Sequence, residues 1–245
     1  MGVPRADSFF GKCDPKNKKN FRTRCSAVIM SKNENILIDT SPDLRHQLIT
    51  NKVKKIDKVL YSHMHADQTH GINDLRVFYI QNKKTIPVYA DNATSKYLLK
   101  SFGYCFKDNY NEYPATLNLN SIDQKIFIKD KNKKIKIIPI KVKHGMVESI
   151  CYIIDKKLAY ISDVSEIYKK DYKMLKNLKY LIIDCLWIKK HPSHFNLDEC
   201  LKMIRLLKPK KAFLTNLHCD LDYKVLLNKL PNNIKPAYDG LTLMI

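Results

Sequence analysis

Lys58-Val59-Leu60-Tyr61-Ser62-His63-Met64-His65-Ala66-Asp67-Gln68 is the stretch that decides how this chain is read. An apolar run ends in two imidazoles at i and i+2, followed by a carboxylate two residues later and a turn containing Gly71. On a helix His63 and His65 would splay apart, because same-face neighbours there lie at i+3 and i+4. At a strand-to-loop junction they can converge on one point. Imidazole nitrogen with carboxylate oxygen is a donor set suited to zinc, manganese or iron. A lone His-X-His is more often a solvated polar turn, so the reading needs support from elsewhere in the chain.

Three further positions supply that support. His144 follows the β-rich run Ile135 to Val142, Asp163 closes Leu158-Ala159-Tyr160-Ile161-Ser162, and His218 follows Ala212 to Leu217. Each alone is an ordinary strand-end turn former or hydrogen-bond partner. Together they repeat one pattern, an apolar strand delivering a ligand-type side chain to the loop at its end, which is how a rigid scaffold holds a metal.

In the order His63-X-His65-X-Asp67, His144, Asp163, His218, the chain resembles the metallo-β-lactamase superfamily of metal-dependent hydrolases. The run His70-Gly71-Ile72-Asn73-Asp74-Leu75-Arg76 and the segment Tyr238-Asp239-Gly240 narrow this. They resemble the branch containing the cyclic phosphodiesterase of the carbon–phosphorus lyase pathway, itself related to the tRNA 3′-end processing nucleases. The resemblance implies an α/β fold of the four-layer αββα type. It implies one metal on His63, His65 and His144, a bridging Asp163, and a second metal on Asp67 and His218. Asp67 then serves catalysis as well as binding. Asp39, matching the family's first aspartate, is expected to orient the histidine loop and not to bind metal.

Gln68 departs from the family pattern, which has a histidine there as a ligand of the second metal. An amide oxygen is a weaker ligand for zinc but acceptable to manganese or magnesium. The second site is then weakened, or His70 substitutes, or one ion is held. A weakened but occupied second site is favoured, giving one to two divalent ions per chain, zinc or manganese. His194, in His191-Pro192-Ser193-His194-Phe195-Asn196, is expected by resemblance to act on the leaving-group oxygen or contact the phosphate; His191 reads as a surface residue. A structural zinc is not expected, since Pro15 and Lys18 stand where two further cysteines after Cys13 belong. By the same resemblance the chain begins inside a glycine-rich turn, so a first strand is missing.

The 245 residues suit one hydrolase domain, 1–245, with a sizeable core. Seven scattered cysteines, an odd count without a Cys-X-X-Cys pair, fit reduced thiols in a cytoplasmic protein. No apolar run reaches the roughly 20 residues that span a bilayer, so no membrane association is expected. With 44 Lys and Arg against 24 Asp and Glu, the net charge of +20 favours an anionic substrate without choosing its size. The expected partner is a small phosphate ester, cyclic ones included. An RNA ranks second, because no segment supplies a tRNA-holding arm; a metal-binding relic without activity ranks third. A homodimer is left open.

Hydrophobic patterning predicts strands at 25–30 and 36–39 joined as a hairpin, then 86–90, 125–128 paired with the Ile135 strand, 150–154 paired with 158–161, 181–184 and 212–215. Helices are predicted from Ser41-Pro42, from Asn73 or Asp74, from Asn92 or Thr94, over 165–175, over 197–207 behind Asn196, and over 223–230. The only tryptophan, Trp187, is expected in the core.

Overall fold

Ala27–Met30 (β1) and Asn35–Ile38 (β2) pair antiparallel, closed by a turn in which Ser31 bonds Glu34 through both backbone and hydroxyl. In the computed structural model, which describes residues 2–108, 114–123, 126–130 and 133–245, this hairpin opens the unit formed by residues 24–137. The chain crosses through a helix, Leu44–Thr50 (α1), to Lys58–Leu60 (β3), parallel to β2. A short helix, Ala66–Thr69 (α2), and Arg76–Asn82 (α3) lead to Ile86–Ala90 (β4). Asn92–Phe102 (α4) then leads to Leu117–Ser121 (β5), and the sheet runs β1-β2-β3-β4-β5. Leu37, Val59 and Val88 from the strands and Tyr61 just after β3 pack with Leu44, Phe78 and Leu98 from the helices and Leu75 just before α3, all buried.

Two helix starts differ from the expectation. Helix α1 begins at Leu44, two residues past Pro42, although the Ser41 hydroxyl accepts the Asp43 N–H at 3.1 Å as a cap would; the Asp43 carboxylate is held by the Arg24 backbone N–H and guanidinium. The segment after Gly71 is a 3₁₀ turn over Ile72–Leu75 whose cap position is Gly71, with no side chain to offer, and the Asn73 side chain inside it accepts from Tyr104. Helix α4 starts as expected at Asn92, although its cap is Asp91, whose Oδ1 accepts the Thr94 N–H at 2.8 Å.

Ile126–Asp130 (β6) pairs antiparallel with the first half of a twelve-residue strand, Lys133–His144 (β7), Ile126 opposite Ile137. Lys125 and residues 131–132 of that expected hairpin lie outside the described residues. Burial along β7 changes parity at Ile138-Pro139: Ile137 faces inward before it, Ile140, Val142 and His144 after it. Proline cannot donate to a ladder, which suits it to such a change.

The second unit, residues 2–23 with 138–245, holds the rest of β7 and Val147–Ile154 (β8), Leu158–Ile161 (β9), Tyr180–Asp184 (β10), Lys211–Thr215 (β11) and Ile234–Pro236 (β12). Strands β9 to β12 are parallel neighbours, so their carboxyl ends share one edge. Tyr172–Leu175 (α5), Leu197–Leu207 (α6) and Tyr223–Lys229 (α7) connect them. Asn196 caps α6 in a capping box with Glu199, as its sequence signals. The helix expected over 165–175 is mostly absent: Ser165 and Glu166 donate to the Lys143 carbonyl and extend the backbone, leaving a 3₁₀ turn over Lys169–Asp171 and the single turn of α5. Cys151 and Cys185 sit in the apolar core of this unit.

Residues 2–23 are fastened by one buried cation. Arg22 donates to the carbonyls of Leu217, His218 and Leu221 and to Asn20 Oδ1, while its backbone pairs with Val3. Asp239 takes both the N–H and the hydroxyl of Thr23. Among the described residues no helix is long and apolar enough to cross a membrane.

Gly71 is where the first unit tolerates least. Its N–H reaches the Thr40 carbonyl at 2.9 Å, and a Cβ there would stand 2.0 Å from the Ser41 oxygen. Gly71→Ala should therefore cost about 2 kcal/mol or more of stability, as overpacking against fixed backbone does, seen as a lower urea midpoint. An unchanged midpoint would mean that the Ser41 turn yields freely.

Candidate metal centre

The residues that the sequence singles out divide between the two units, with His63, His65, Asp67 and Gln68 in one and His144, Asp163, His194 and His218 in the other. In the first unit Asp39, in the left-handed region at φ 62°, turns its carboxylate to the Ser62 N–H at 2.7 Å. Asp is among the few residues that take this conformation readily. Ser62 Oγ in turn lies 3.0 Å from His63 Nδ1. His63 Nε2 and His65 Nδ1 face each other at 2.9 Å, with the rings edge to face. Two ring nitrogens this close need a proton or a cation between them, and the spacing approaches the roughly 3.3 Å expected of two nitrogens on one tetrahedral zinc. The donor chemistry of this pair fits a divalent metal.

Asp67 and Gln68 lie on α2, with Gln68 Nε2 3.4 Å from Asp67 Oδ2 and the Gln68 carbonyl accepting from Thr40. Gln68 is buried and Asp67 half-buried. Asp67 belongs to no cluster of three His, Cys, Asp or Glu donors among the described residues. His70, the alternative to Gln68, is bonded to the Tyr97 hydroxyl at 2.7 Å and stacks on its ring.

In the second unit the donor atoms of His144, Asp163 and His194 lie within 4.8 Å of one another. Each arrives from a strand end or a loop beside one. His144 ends β7, and Gly145 at φ 62° makes the tight turn into β8. His144 Nδ1 donates to the Ser193 carbonyl at 2.6 Å; a carbonyl only accepts, so the proton is on Nδ1 and Nε2 carries the lone pair. Asp163 follows β9 and accepts from Asn216 Nδ2 at 3.1 Å. That amide also reaches the Ser162 carbonyl at 3.4 Å, and Asn216 holds this position only by taking φ 59°.

Asp184 is the residue that sequence reasoning missed. It ends β10, has no exposed surface, and its Oδ2 receives the Val164 N–H at 3.0 Å and faces His194 Nδ1 at 2.7 Å. Burial, and secondarily the Asp163 carboxylate, push its carboxyl well above the usual range; the 2.7 Å contact with His194 Nδ1 is a hydrogen bond that needs one proton between the two atoms. The signal was available: Asp184 closes an apolar strand as Asp163 does on the neighbouring strand.

His218 stands apart from Asp163 in a different donor group, with Cys219 and Asp220. Desolvation holds its imidazole below the usual histidine range, against the opposing pull of Asp220. Trp187 is half-buried, not in the core as expected; its Nε1 donates to Asp220 Oδ2 at 2.9 Å and its ring lies 5.0 Å from that of His218. The indole N–H draws it out to a polar partner.

The family model described as Beta-lactamase superfamily domain matches residues 34–216. The chain belongs to the beta-lactamase superfamily. Among solved structures, a diphosphatase from the PhnP family is 31% identical, with a TM-score of 0.86 over 100% of this chain and 93% of that one. Zn(2+)-bound PqqB from Methylobacterium extorquens shares the fold alone, at 14% identity and a TM-score of 0.75 over 93% of this chain and 89% of that one. A curated Porphyromonas gingivalis protein named octanoyltransferase is 29% identical over 248 residues, covering 100% of this chain and 49% of its own. The chain thus spans about half the length of that curated relative. With two sheets and helices in these connections, the beta-lactamase superfamily member has the α/β metallo-β-lactamase fold, and this fold implies divalent metal.

The Asn216 amide is the testable link. Asn216→Gly keeps the left-handed backbone and removes the donor to Asp163; Asn216→Ala removes both. Each should weaken divalent-metal affinity about tenfold, as loss of a hydrogen bond to a ligating carboxylate does, measured by competition with a chromophoric chelator. Only the Ala variant should also lose thermal stability.

Proposed function

We propose that this superfamily member is a metal-dependent phosphoric ester hydrolase acting on a small substrate, cyclic diesters included. The observation that carries the reading is that His194, bonded to the buried Asp184, has its donor atom within 4.8 Å of metal-type donors on His144 and Asp163. The ligand set remains the one expected from the sequence: His63, His65, Asp67, Gln68, His144, Asp163 and His218. A divalent ion, zinc or manganese, held by such residues supplies Lewis acidity and lowers the pKa of a water.

The chain's own groups do the rest. His194, with Nδ1 held by Asp184, presents Nε2 as the face that hands a proton to the departing oxygen. Asp184, sealed from solvent, keeps the ring oriented and stabilises the imidazolium from which the proton leaves. Asn216 keeps Asp163 from rotating. Support for a phosphorus-centred substrate comes from the relative called a diphosphatase and from the +20 charge, which draws anions.

The test is a panel of cyclic and linear phosphodiesters, pyrophosphate and a short RNA as competitor, each with added manganese or zinc. Turnover of a small ester, lost on chelation and little affected by RNA, is the expected result. Strong RNA inhibition with no small-ester turnover favours a nuclease, and no turnover at all leaves a metal-binding relic. Gln68→His should lower the metal concentration that half-activates the enzyme, because imidazole outcompetes an amide oxygen for these ions; equal titrations would remove Gln68 from the ligand set.

Asp184→Asn and His194→Asn should each slow hydrolysis of alkyl esters about a hundredfold or more. p-Nitrophenyl esters, whose leaving group needs no proton, should lose far less. Equal losses on both substrates would make the pair structural.

A further inference from the structure

His191, which the sequence assigns to the surface, is three residues before His194 and exposed, yet its ring is not at large. Its centroid lies 5.0 Å from that of His194, which lies 4.6 Å from that of His144, so the three imidazoles form a row from the buried interior to solvent. Ser193 stands between the ends of this row and bonds both. Its carbonyl accepts from His144 Nδ1 at 2.6 Å, while its backbone N–H approaches His191 Nδ1 at 3.3 Å and its hydroxyl lies 3.2 Å from the same nitrogen.

A backbone N–H can only donate, so His191 Nδ1 is an acceptor and the proton of the neutral ring sits on Nε2. Pro192 fixes the backbone between the two bonded residues, and the approach of Ser193 Cβ to within 2.8 Å of where a Cβ on Gly145 would stand leaves Ser193 little room to turn. One residue thus gives two histidines opposite tautomers. His144 keeps a lone pair on Nε2, as a metal ligand needs, and His191 keeps a hydrogen there. Among the described residues His191 Nε2–H has no hydrogen-bond partner.

We propose that His191 is a substrate-binding residue, its Nε2–H donating to a non-bridging phosphate oxygen on the side from which His194 protonates the leaving group. The proposal rests on the phosphoric ester reading above. A neutral, oriented donor binds the anion in ground and transition state alike, so its loss is felt in KM and not in kcat.

Inorganic phosphate is the probe, titrated into metal-loaded wild type and His191→Ala by calorimetry, with ring nitrogens read by two-dimensional 1H–15N NMR. Wild type should show the Nε2–H pattern for His191, with that proton shifting as phosphate binds. His191→Ala should bind phosphate about tenfold more weakly, the scale of one hydrogen bond to a charged group, and raise KM by a like factor with kcat nearly unchanged. His191→Gln, whose amide can donate, should recover part of the loss. Equal phosphate affinity in wild type and His191→Ala, an Nδ1–H tautomer, or a loss confined to kcat overturns this role while leaving the hydrolase reading standing. Wild type that binds no phosphate overturns both.

Discussion

A carboxyl group with no solvent contact at the end of β10 is the constraint around which the second unit is arranged. Burying Asp184 is costly, and what offsets the cost falls on one oxygen: Oδ2 ties together the Val164 N–H after β9, the His194 ring before α6 and β10 itself, while Oδ1 is buried without a hydrogen bond among the described residues. Parallel pairing of β9, β10 and β11 puts these ends on one edge, so the fold's topology and the proton chemistry share a cause. The crevice beyond the carboxyl ends of parallel strands is where α/β sheets place ligands, because loops there are free to carry function.

The loop bearing His218 is held by different means. It has no strand to follow past Thr215, and Arg22 supplies what the sheet does not, three carbonyl contacts from one planar guanidinium. Burial lowers the Arg22 pKa from its ordinary value, partly offset by Cys13 and Asp222, but a guanidinium remains charged at any physiological pH. Residues 2–23, polar and turn-rich to read, thereby act as a fastening for a loop some 200 residues away.

Element positions were legible because hydrophobic periodicity reports burial directly: strand 86–90 and helix 197–207 fall where their patterns put them. The donor residues were legible because His and Asp at strand ends are chemically conspicuous. What the pattern left out was decided by distant partners. Asp43 and Asn73 have the side chains of helix caps, but Arg24 and Tyr104 claim them. Asp184 read only as the last residue of a strand, and its role comes from Val164 and His194; Trp187, expected in the core, turns its N–H to Asp220. The layered architecture and the grouping of ligands into two sites came from family resemblance; periodicity alone specifies neither.

The parity change in β7 bears on how this chain can vary over time. From Ile140 to His144 inward and outward residues alternate strictly, with Lys141 and Lys143 facing solvent. A single-codon insertion or deletion within that segment would turn His144 outward and bring a lysine in, since side chains on a strand repeat every second residue. Length changes there are viable only in pairs, so descendants of this sequence should hold the spacing from Pro139 to His144 even where the lysines themselves drift.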